Sequence, residues 1–282
     1  MLACSQNYKN YWKISVKIPN FVGHNNRMKK RVVLIGSGNV ATHLALGLKD
    51  ECCIAQVYSR TMAHASLLAG RIGASGINSL DDIQSDADIY IICVPDDAIA
   101  GIVETIPDNG ALWLHTSGTT PLSALLAHRR RCGVLYPMQS FSRDLPVEWG
   151  DVHIFVEGSD ASSLQVTEDL AHMLTSHVTP CDSDQRRVLH VAAVFSCNFT
   201  NHLWALASDL LEKNGLSFDA MLPLIRNTVA KLDQLTPEQS QTGPARRGDL
   251  EVIERHLSML DGSNRKIYSL LSKSIIDKYS NQ

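Results

Sequence analysis

The sequence predicts an α/β protein, in which a doubly wound parallel sheet is followed by an all-helical C-terminal domain. Three observations predict this fold class. Short apolar runs, beginning with RVVLI at residues 31–35, alternate with stretches of helical spacing through the first two thirds of the chain, which is typical of a parallel sheet covered by helices. A glycine-rich turn at residues 36–41 joins the first run to a helical stretch. After Pro180 the strand-like runs stop and helical stretches follow.

The predicted elements follow one another in a regular order. We predict strands at 31–35, 53–58, 89–94, 111–115, 133–136 and 152–156, and helices at 42–48, 62–70, 96–105, 122–131 and 161–176. The run at 89–94 is apolar throughout, as in a strand buried on both faces. The helix at 122–131 would have Thr120 as its N-cap and Pro121 at its first position. One long helix is predicted at 186–214, and later helices begin after the N-cap residues Ser217, Thr236, Asp249 and Ser263.

The length and composition fit an ordinary globular protein of about two domains. The chain has 282 residues, of which 44% are hydrophobic and 20% are charged, and one domain is expected per roughly 150 residues. The net charge of −3 gives no general attraction to nucleic acid or to anionic lipid. No apolar run approaches the roughly 18 residues of a membrane-spanning helix. We therefore expect neither nucleic acid nor membrane as a partner.

These elements divide the chain into three segments. Residues 1–27 form an N-terminal extension without the continuous apolar core of a signal peptide. This extension is either disordered or not native to a functional chain that begins at Met28, or it is a weakly basic targeting peptide. Residues 28–182 form the sheet domain and residues 183–282 the helical domain. Because apolar stripes lie on several faces of the helical domain, we expect two copies of the chain to pair through it.

The most informative motif is Gly36-x-Gly38-x-x-Ala41, which follows the first strand and opens the first helix. Gly36 permits the tight turn, Gly38 lets the backbone approach a diphosphate, and Ala41 allows close packing of helix on strand. The diphosphate would lie against the free N–H groups at the start of the helix. The motif predicts a Rossmann dinucleotide-binding domain, with cofactor contacts from Gly36, Ser37, Gly38, Asn39, Val40 and Ala41.

The end of the second strand indicates which dinucleotide binds. An NAD site usually has Asp or Glu there to hold the ribose 2′-hydroxyl, but this sequence has Ser59, Arg60 and Thr61. Arg60 can pair with a 2′-phosphate, and the two hydroxyl groups can hydrogen-bond to it. We therefore predict NADP(H) rather than NAD(H). The alternative is that Arg60 is a solvated surface side chain.

Further candidates follow the two central strands, at the edge where ligands of such sheets bind. Val94, Pro95 and Asp96 follow one strand, and Thr116 and Ser117 follow the next. We assign the first four to cofactor contacts and Ser117 to the catalytic set. Helix capping by the acidic residues and a purely structural turn at 115–118 are the alternatives.

Polar residues of the helical domain supply the remaining candidates. His190, Asn198 and Asn201 lie at spacings of 8 and 3, so a regular helix would place them on one face. An imidazole can donate a proton near neutral pH, and we assign His190 as proton donor with Asn198 in the catalytic set. A hydrogen-bonded core histidine is the alternative. We assign substrate contacts to Asn201, Gln139, Ser140, Arg246 and Arg247, with Arg246 or Arg247 as the clamp for a carboxylate or phosphate. A helix-capping loop with Asp249 as N-cap is the alternative to this clamp.

The cysteines indicate reduced thiols. Seven are present, an odd number, and none forms a C-x-x-C pair. Such a set predicts neither a disulfide framework nor a metal site, and it fits a cytoplasmic protein.

Several longer motifs resemble those of one protein family. They are Gly36-Ser-Gly-Asn-Val-Ala, His115-Thr-Ser-Gly, Tyr136-Pro-Met-Gln-Ser-Phe, Ala193-Val-Phe-Ser-Cys-Asn-Phe-Thr-Asn and Thr242-Gly-Pro-Ala-Arg-Arg-Gly-Asp. Over residues 30–280 the chain resembles the Rossmann-like plus DUF2520 proteins, NADP-dependent oxidoreductases related to pyrroline-5-carboxylate reductase and the 6-phosphogluconate dehydrogenase superfamily. The resemblance implies a homodimer with a cleft between the Rossmann and helical domains. It supplies no substrate.

One departure from the β-hydroxyacid dehydrogenases bears on the reaction. The long helix has no lysine in a K-x-x-x-N pattern, so their usual lysine mechanism is not expected. We expect hydride transfer between NADP(H) and a small carbonyl or imine compound. The alternative from another class is a regulatory protein that senses NADPH without turnover.

Overall fold

The chain forms two compact units. The computed structural model describes residues 29–280, of which 29–137 and 141–180 belong to the first unit and 138–140 and 181–280 to the second. The division at 180 and 181 falls two residues before the predicted boundary at 182 and 183. The predicted extension at residues 1–27 lies outside the described residues.

The first unit is built on a sheet of eight strands. They are β1 (Arg31–Ile35), β2 (Cys53–Tyr58), β3 (Ser75–Ile77), β4 (Ile89–Ile92), β5 (Leu112–His115), β6 (Cys132–Pro137), β7 (Ile154–Gly158) and β8 (Val178–Pro180). Their order in the sheet is β3-β2-β1-β4-β5-β6-β7-β8. The winding therefore reverses between β1 and β4, which is the topology of dinucleotide-binding sheets. The predicted doubly wound α/β fold is confirmed.

The predicted parallel sheet needs a correction at one edge, where β7 and β8 run opposite to β1–β6. All neighbouring strands pair in parallel except β6 and β7, which are antiparallel, with Pro137 opposite Ile154. A parallel connection usually needs a helix to return the chain to the other end of the sheet. Residues 138–153 contain only one short 3₁₀ turn, at Trp149–Asp151, so the chain re-enters the sheet from the same end. The short strands β3 and β8 had no predicted counterpart.

Five helices pack on this sheet: α1 (Asn39–Leu48), α2 (Met62–Ile72), α3 (Asp96–Thr105), α4 (Ser123–Leu126) and α5 (Ala161–His172). The predicted helix at 122–131 was wrong in length and start, since α4 has four residues and Leu122 as N-cap. The buried Arg129 lies just after this helix. Its guanidinium lies 4.1 Å from the centre of the Trp113 ring and donates to the carbonyls of Ile106 at 2.6 Å and His128 at 2.8 Å, and a longer helix would use the His128 carbonyl for a backbone bond.

The core of the first unit lies on both faces of the central strands. Every residue of β4 is buried, and α1 buries Ala41, Leu44, Ala45 and Leu48 against the sheet. This packing fixes the position of α1 relative to the ends of β1 and β4. The carboxyl ends of these strands are where the glycine turn lies.

The second unit is helical, as predicted. A continuous helical rod is formed by α6 (Ser183–Ala193), a π-helical turn (Val194–Phe199) and α7 (Thr200–Lys213). It is followed by α8 (Leu222–Ala230), α9 (Pro237–Ser240), α10 (Pro244–Arg247), α11 (Leu250–Ser258) and α12 (Gly262–Tyr279). The predicted caps Thr236 and Asp249 each accept a backbone N–H bond at the start of a helix. The last helix begins after Asp261 rather than Ser263. Among the helices of residues 29–280, none has the length and apolar character to cross a membrane.

Candidate functional site

The glycine turn is clamped between the ends of two strands. Gly36 has a φ of +127°, and a Cβ atom at this position would lie 2.3 Å from the carbonyl oxygen of Cys93 at the end of β4. The Gly36 N–H donates to the carbonyl of Tyr58 at the end of β2, at 2.8 Å. Only glycine fits a position that combines a positive φ with this close approach of backbone. The fold therefore requires Gly36 whatever binds above it.

Gly38 has a different environment, which fits a diphosphate. It is the N-cap of α1 with a φ of −76°, and a Cβ atom there would meet nothing within 4 Å. Gly38 has no side chain to bond the first N–H groups of α1, and the first turn of α1 contains no acidic residue. These N–H groups and the helix dipole favour an anion at this end of the helix. The missing Cβ leaves open space for it.

A cleft of about 580 Å³ opens beside this turn, within the size range of ligand-binding cavities. Its walls come from the glycine turn, the ends of β2 and β4, and helices α2 and α3. Seven of the predicted cofactor residues line it: Gly36, Ser37, Gly38, Ser59, Arg60, Val94 and Pro95. The structure thus brings together three segments that are far apart in sequence, and a phosphorylated dinucleotide fits such a cleft.

The other predicted cofactor residues do not line this cleft, and several hold the surrounding structure. The Asn39 side-chain amide donates to the carbonyl of Phe141 at 2.9 Å, and Ala41 is buried in the core. Thr61 is the N-cap of α2. Asp96, in the first turn of α3, accepts a hydrogen bond from the hydroxyl of Thr119. Val40 and Thr116 are half-buried.

Seven lining residues were not among the predicted site residues: Tyr58, His64, Cys93, Asp97, Ala98, Ile102 and Arg143. His64 lies in the first turn of α2, four residues after Arg60, and this closeness to the end of β2 could have identified it. Arg143 is 106 residues from Ser37, to whose carbonyl its guanidinium donates at 3.1 Å. No pattern in the sequence connects these two residues.

The rim of the cleft is basic near the end of β2. Arg60 and Arg143 are both exposed, and no carboxylate of residues 29–280 pairs with either guanidinium. The hydroxyl of Ser37 donates to that of Ser59 at 2.9 Å. Asp97 is the acidic residue of the lining. This arrangement suits an anion with several oxygen atoms.

The thiol of Cys93 and the hydroxyl of Ser117, which follow neighbouring strands, are limited in the chemistry they can perform. Burial raises the pKa of the Cys93 thiol to about 12, so this thiol is protonated near neutral pH and is not a nucleophile. Ser117 is buried, and its hydroxyl oxygen accepts the N–H groups of Thr119 at 3.1 Å and Thr120 at 2.9 Å. The oxygen of Ser117 thus holds a turn, and its catalytic assignment stays a prediction.

The π-helical turn changes which polar side chains of the second unit face the same way. Each residue of an α-helix adds about 100° of rotation, so Asn198 would lie about 80° from His190, and Asn201 about 20° from it. A π-helical turn accommodates about one extra residue, which brings Asn198 within about 20° of His190 and turns Asn201 to about 80°. The three residues therefore still span about 80°, but Asn198 instead of Asn201 is the asparagine nearer in angle to His190. His190 is half-buried, and both asparagines are exposed.

The remaining substrate candidates lie at separate places in the second unit. The side-chain oxygen of Gln139 accepts the N–H of Ser140 at 2.7 Å. The guanidinium of Arg246 lies 4.5 Å from the centre of the Tyr279 ring and lines a polar cavity of about 390 Å³, whereas Arg247 does not line it. The assignment of Arg246 or Arg247 as a clamp stays a prediction. Among residues 29–280, no three histidine, cysteine or acidic residues are grouped as metal ligands.

Two family descriptions match consecutive parts of the chain. Residues 31–112 match the family described as NADP oxidoreductase coenzyme F420-dependent. Residues 152–275 match the domain of unknown function DUF2520. The first match covers the glycine turn and the strands that line the cleft.

Solved structures and one curated protein are also similar to the chain. A crystal structure named putative NADP oxidoreductase, from Bacteroides fragilis, is 42% identical with a TM-score of 0.83, over 88% of this chain and 98% of that one. A reductive aminase from Aspergillus terreus, in complex with NADPH4, cyclohexanone and allyl amine, is 16% identical with a TM-score of 0.58, over 82% and 78%; it shows the fold alone. The shikimate biosynthesis protein AroDE of Chlamydia muridarum is 25% identical over 45% of this chain, and the match spans only 26% of AroDE.

Proposed function

The chain belongs to the family that joins an NADP oxidoreductase domain to a DUF2520 domain, and on that premise we propose that it transfers a hydride between NADP(H) and a small carbonyl or imine compound. The observation that carries the proposal is the cleft beside the glycine turn. It combines an open helix N-terminus at Gly38 with a basic rim at Arg60. These are the features that a dinucleotide with a 2′-phosphate needs.

The choice of NADP(H) over NAD(H) depends on the end of β2. An acidic side chain there would bond the 2′-hydroxyl and repel a 2′-phosphate. Here Arg60 is exposed at the cleft, and Ser59 contributes a hydroxyl. An arginine offers five donors in a planar fork that matches a phosphate. Arg60 is therefore assigned to the 2′-phosphate.

The proton chemistry is assigned to the helical rod. The nicotinamide, when bound, supplies or accepts the hydride. His190 is assigned to donate a proton to the developing oxygen or nitrogen anion, and Asn198 to hold the same atom by its amide. The alignment of these two side chains across the π-helical turn supports the pairing.

We also propose that two copies of the chain pair through the second unit. Val188, Val191, Phe195 and Phe199 recur every three or four residues along the rod, with exposed fractions of 70%, 56%, 65% and 51%. A stripe of large apolar side chains in water indicates an interface. Sedimentation should then give about twice the chain mass of 31.0 kDa, and a monomer would contradict the proposal.

Titration of the purified protein with NADPH and NADH tests the cofactor assignment. We expect tight NADPH binding, at least tenfold weaker NADPH binding in Arg60→Ala, and no change in NADH binding. Arg71→Ala is the matched control, because Arg71 is an exposed arginine of α2 that does not line the cleft. Equal affinity for both dinucleotides, or an unchanged Arg60→Ala variant, would refute the assignment.

Turnover is tested by loss of NADPH absorbance with a panel of small ketones, alone and with amines. The carbonyl and amine named with the reductive aminase structure are reasonable first compounds. Once a substrate is found, His190→Ala should lower kcat by about 10²- to 10⁴-fold and leave NADPH affinity unchanged. The matched control is His172→Ala, at the end of α5. NADPH binding without turnover on any compound would favour the sensor alternative.

A further inference from the structure

A segment of the first unit, residues 141–149, crosses the helix that carries the diphosphate cradle. We call this segment the strap. The side-chain amide of Asn39 donates to the carbonyl of Phe141 at 2.9 Å, and Nε2 of His43 lies 2.9 Å from the carbonyl oxygen of Ser142. The rings of His43 and Phe141 stack with their centres 5.1 Å apart. The start of the strap is therefore fixed to the first two turns of α1.

The other end of the strap is fixed to the same helix. Trp149 packs over Gly47 of α1, where a Cβ atom would lie 2.7 Å from the indole nitrogen. The rings of Trp149 and Phe141 are also in contact, with centres 5.8 Å apart. Because both ends contact α1, the strap has a defined position relative to the glycine turn. A side chain carried between these ends is positioned by the helix itself.

Arg143 is that side chain. Its guanidinium donates to the carbonyl of Ser37 at 3.1 Å, and the hydroxyl of Ser37 donates to that of Ser59 at 2.9 Å. This series of contacts leads from the strap to the end of β2, next to Arg60. Arg143 also lines the same cleft as Arg60 and His64. Three basic side chains from three separate elements therefore face one cavity.

We propose that Arg143 is a second arginine ligand of the dinucleotide 2′-phosphate, positioned by the strap opposite Arg60. The proposal rests on the proposed NADP(H) binding. A phosphate monoester carries about −1.5 to −2 charges at pH 7, more than one guanidinium neutralises, and Asp97 lies in the same lining. Within residues 29–280, Arg143 donates one hydrogen bond to protein, which leaves most of its five donors for phosphate oxygens.

The position of Arg143 favours the 2′-phosphate over the diphosphate. The diphosphate already has the N–H groups at the start of α1, in the open space at Gly38. Arg143 instead contacts Ser37, whose side chain is bonded to Ser59 at the end of β2. A ligand of the diphosphate would serve NADPH and NADH equally, whereas a ligand of the 2′-phosphate serves NADPH alone. This difference makes the two roles separable by measurement.

The test is isothermal titration of the full chain and its Arg143→Ala variant with NADPH and with NADH. We expect NADPH to bind at least tenfold more weakly to the variant, which corresponds to about 1.4 kcal/mol, with NADH affinity unchanged within twofold. Arg71→Ala is again the matched control. Arg71 lines, together with Arg143, a second cleft, but it does not line the cofactor cleft. It should therefore change neither affinity.

The outcomes separate this inference from the proposed function. Unchanged NADPH affinity in Arg143→Ala, beside a weakened Arg60→Ala, would overturn the role of Arg143 and leave NADP(H) binding intact. Equal losses for NADPH and NADH would assign Arg143 to the diphosphate and also overturn the inference. A wild-type chain that binds no NADPH would defeat both. Arg143 is exposed, so the variant should melt at the wild-type temperature without ligand.

Discussion

Substitution of alanine for each of the two glycines of the turn should separate stability from binding. One variant should lose stability, and the other should lose affinity for NADPH. Gly36 and Gly38 are two residues apart in one motif, but their surroundings differ. At Gly36 the backbone is strained for any L-residue and a Cβ atom would overlap the Cys93 carbonyl, whereas at Gly38 the Cβ atom would enter open space. We therefore expect Gly36→Ala to destabilise the fold, and Gly38→Ala to fold normally but bind NADPH poorly.

The magnitudes follow from the geometry. A positive φ costs a non-glycine residue about 1–3 kcal/mol, and relief of the 2.3 Å overlap with Cys93 adds about 1–3 kcal/mol as strain. The sum for Gly36→Ala is about 4 kcal/mol, or roughly 10 °C in melting temperature for a domain of this size. For Gly38→Ala, loss of glycine at the N-cap costs up to about 1 kcal/mol, and reduced unfolded-state entropy returns about 0.4–1 kcal/mol.

Thermal unfolding without ligand and NADPH titration measure the two effects separately. Gly38→Ala should melt within about 3 °C of wild type, since its net cost is below about 1 kcal/mol. It should bind NADPH at least tenfold more weakly, because the methyl group occupies the approach of the diphosphate. Normal NADPH binding by Gly38→Ala would refute the cradle. A Gly36→Ala variant as stable as wild type would refute the steric reasoning.

Two further predictions concern ionisable groups that are not proposed cofactor ligands. The backbone N–H of Ser163, and then its hydroxyl, bond to the Asp160 carboxylate and hold its pKa below the usual range. The stabilisation is therefore present above about pH 4 and is lost as the pH falls through the lowered pKa. Melting curves of Asp160→Asn should lie below wild type at pH 7 and converge with it at lower pH; a constant difference would contradict this. Exposed Cys53 and Cys197 should alkylate at pH 8 in the folded protein, whereas Cys93, whose pKa is about 12, should alkylate only after unfolding, as peptide mass spectrometry can show.

The parts of the fold that the sequence predicts are those with local causes. The strands at 31–35 and 53–58 agree with β1 and β2 to the residue, because apolar β-branched runs specify buried strands with little help from distant contacts. The glycine turn was predictable for a related reason, since its motif directly follows a strand and opens a helix, although the contact of Gly36 with Cys93 is not local. The direction of β7 is not local. It depends on the path of residues 138–153 between two strands, because a parallel strand needs a crossover to the other end of the sheet, usually through a helix.

In the candidate cleft too, residues with local causes were predictable and residues placed by distant contacts were not. Arg60 was predictable because it is next to a strand end, a position with a known role in such sheets. Arg143 was not, since it reaches Ser37 through a strap whose course depends on Trp149 packing over Gly47. Nothing in the sequence distinguishes Gly47 from other helix residues. Its lack of a side chain matters because the Trp149 indole packs where a Cβ atom would lie.

In the helical rod, one π-helical turn changes which asparagine is predicted to act with His190. A pattern at 3.6 residues per turn groups His190 with Asn201, because eleven residues complete about three turns. The six-residue π-helical turn at Val194–Phe199 takes up one residue more, so His190 aligns with Asn198 instead. Isolated π-helical turns are frequent at functional sites. Each contains about one residue more than the same length of regular α-helix. On this reasoning Asn198→Ala should reduce turnover far more than Asn201→Ala; a larger loss for Asn201→Ala would show that the regular phase, not the π-helical one, describes the active rod.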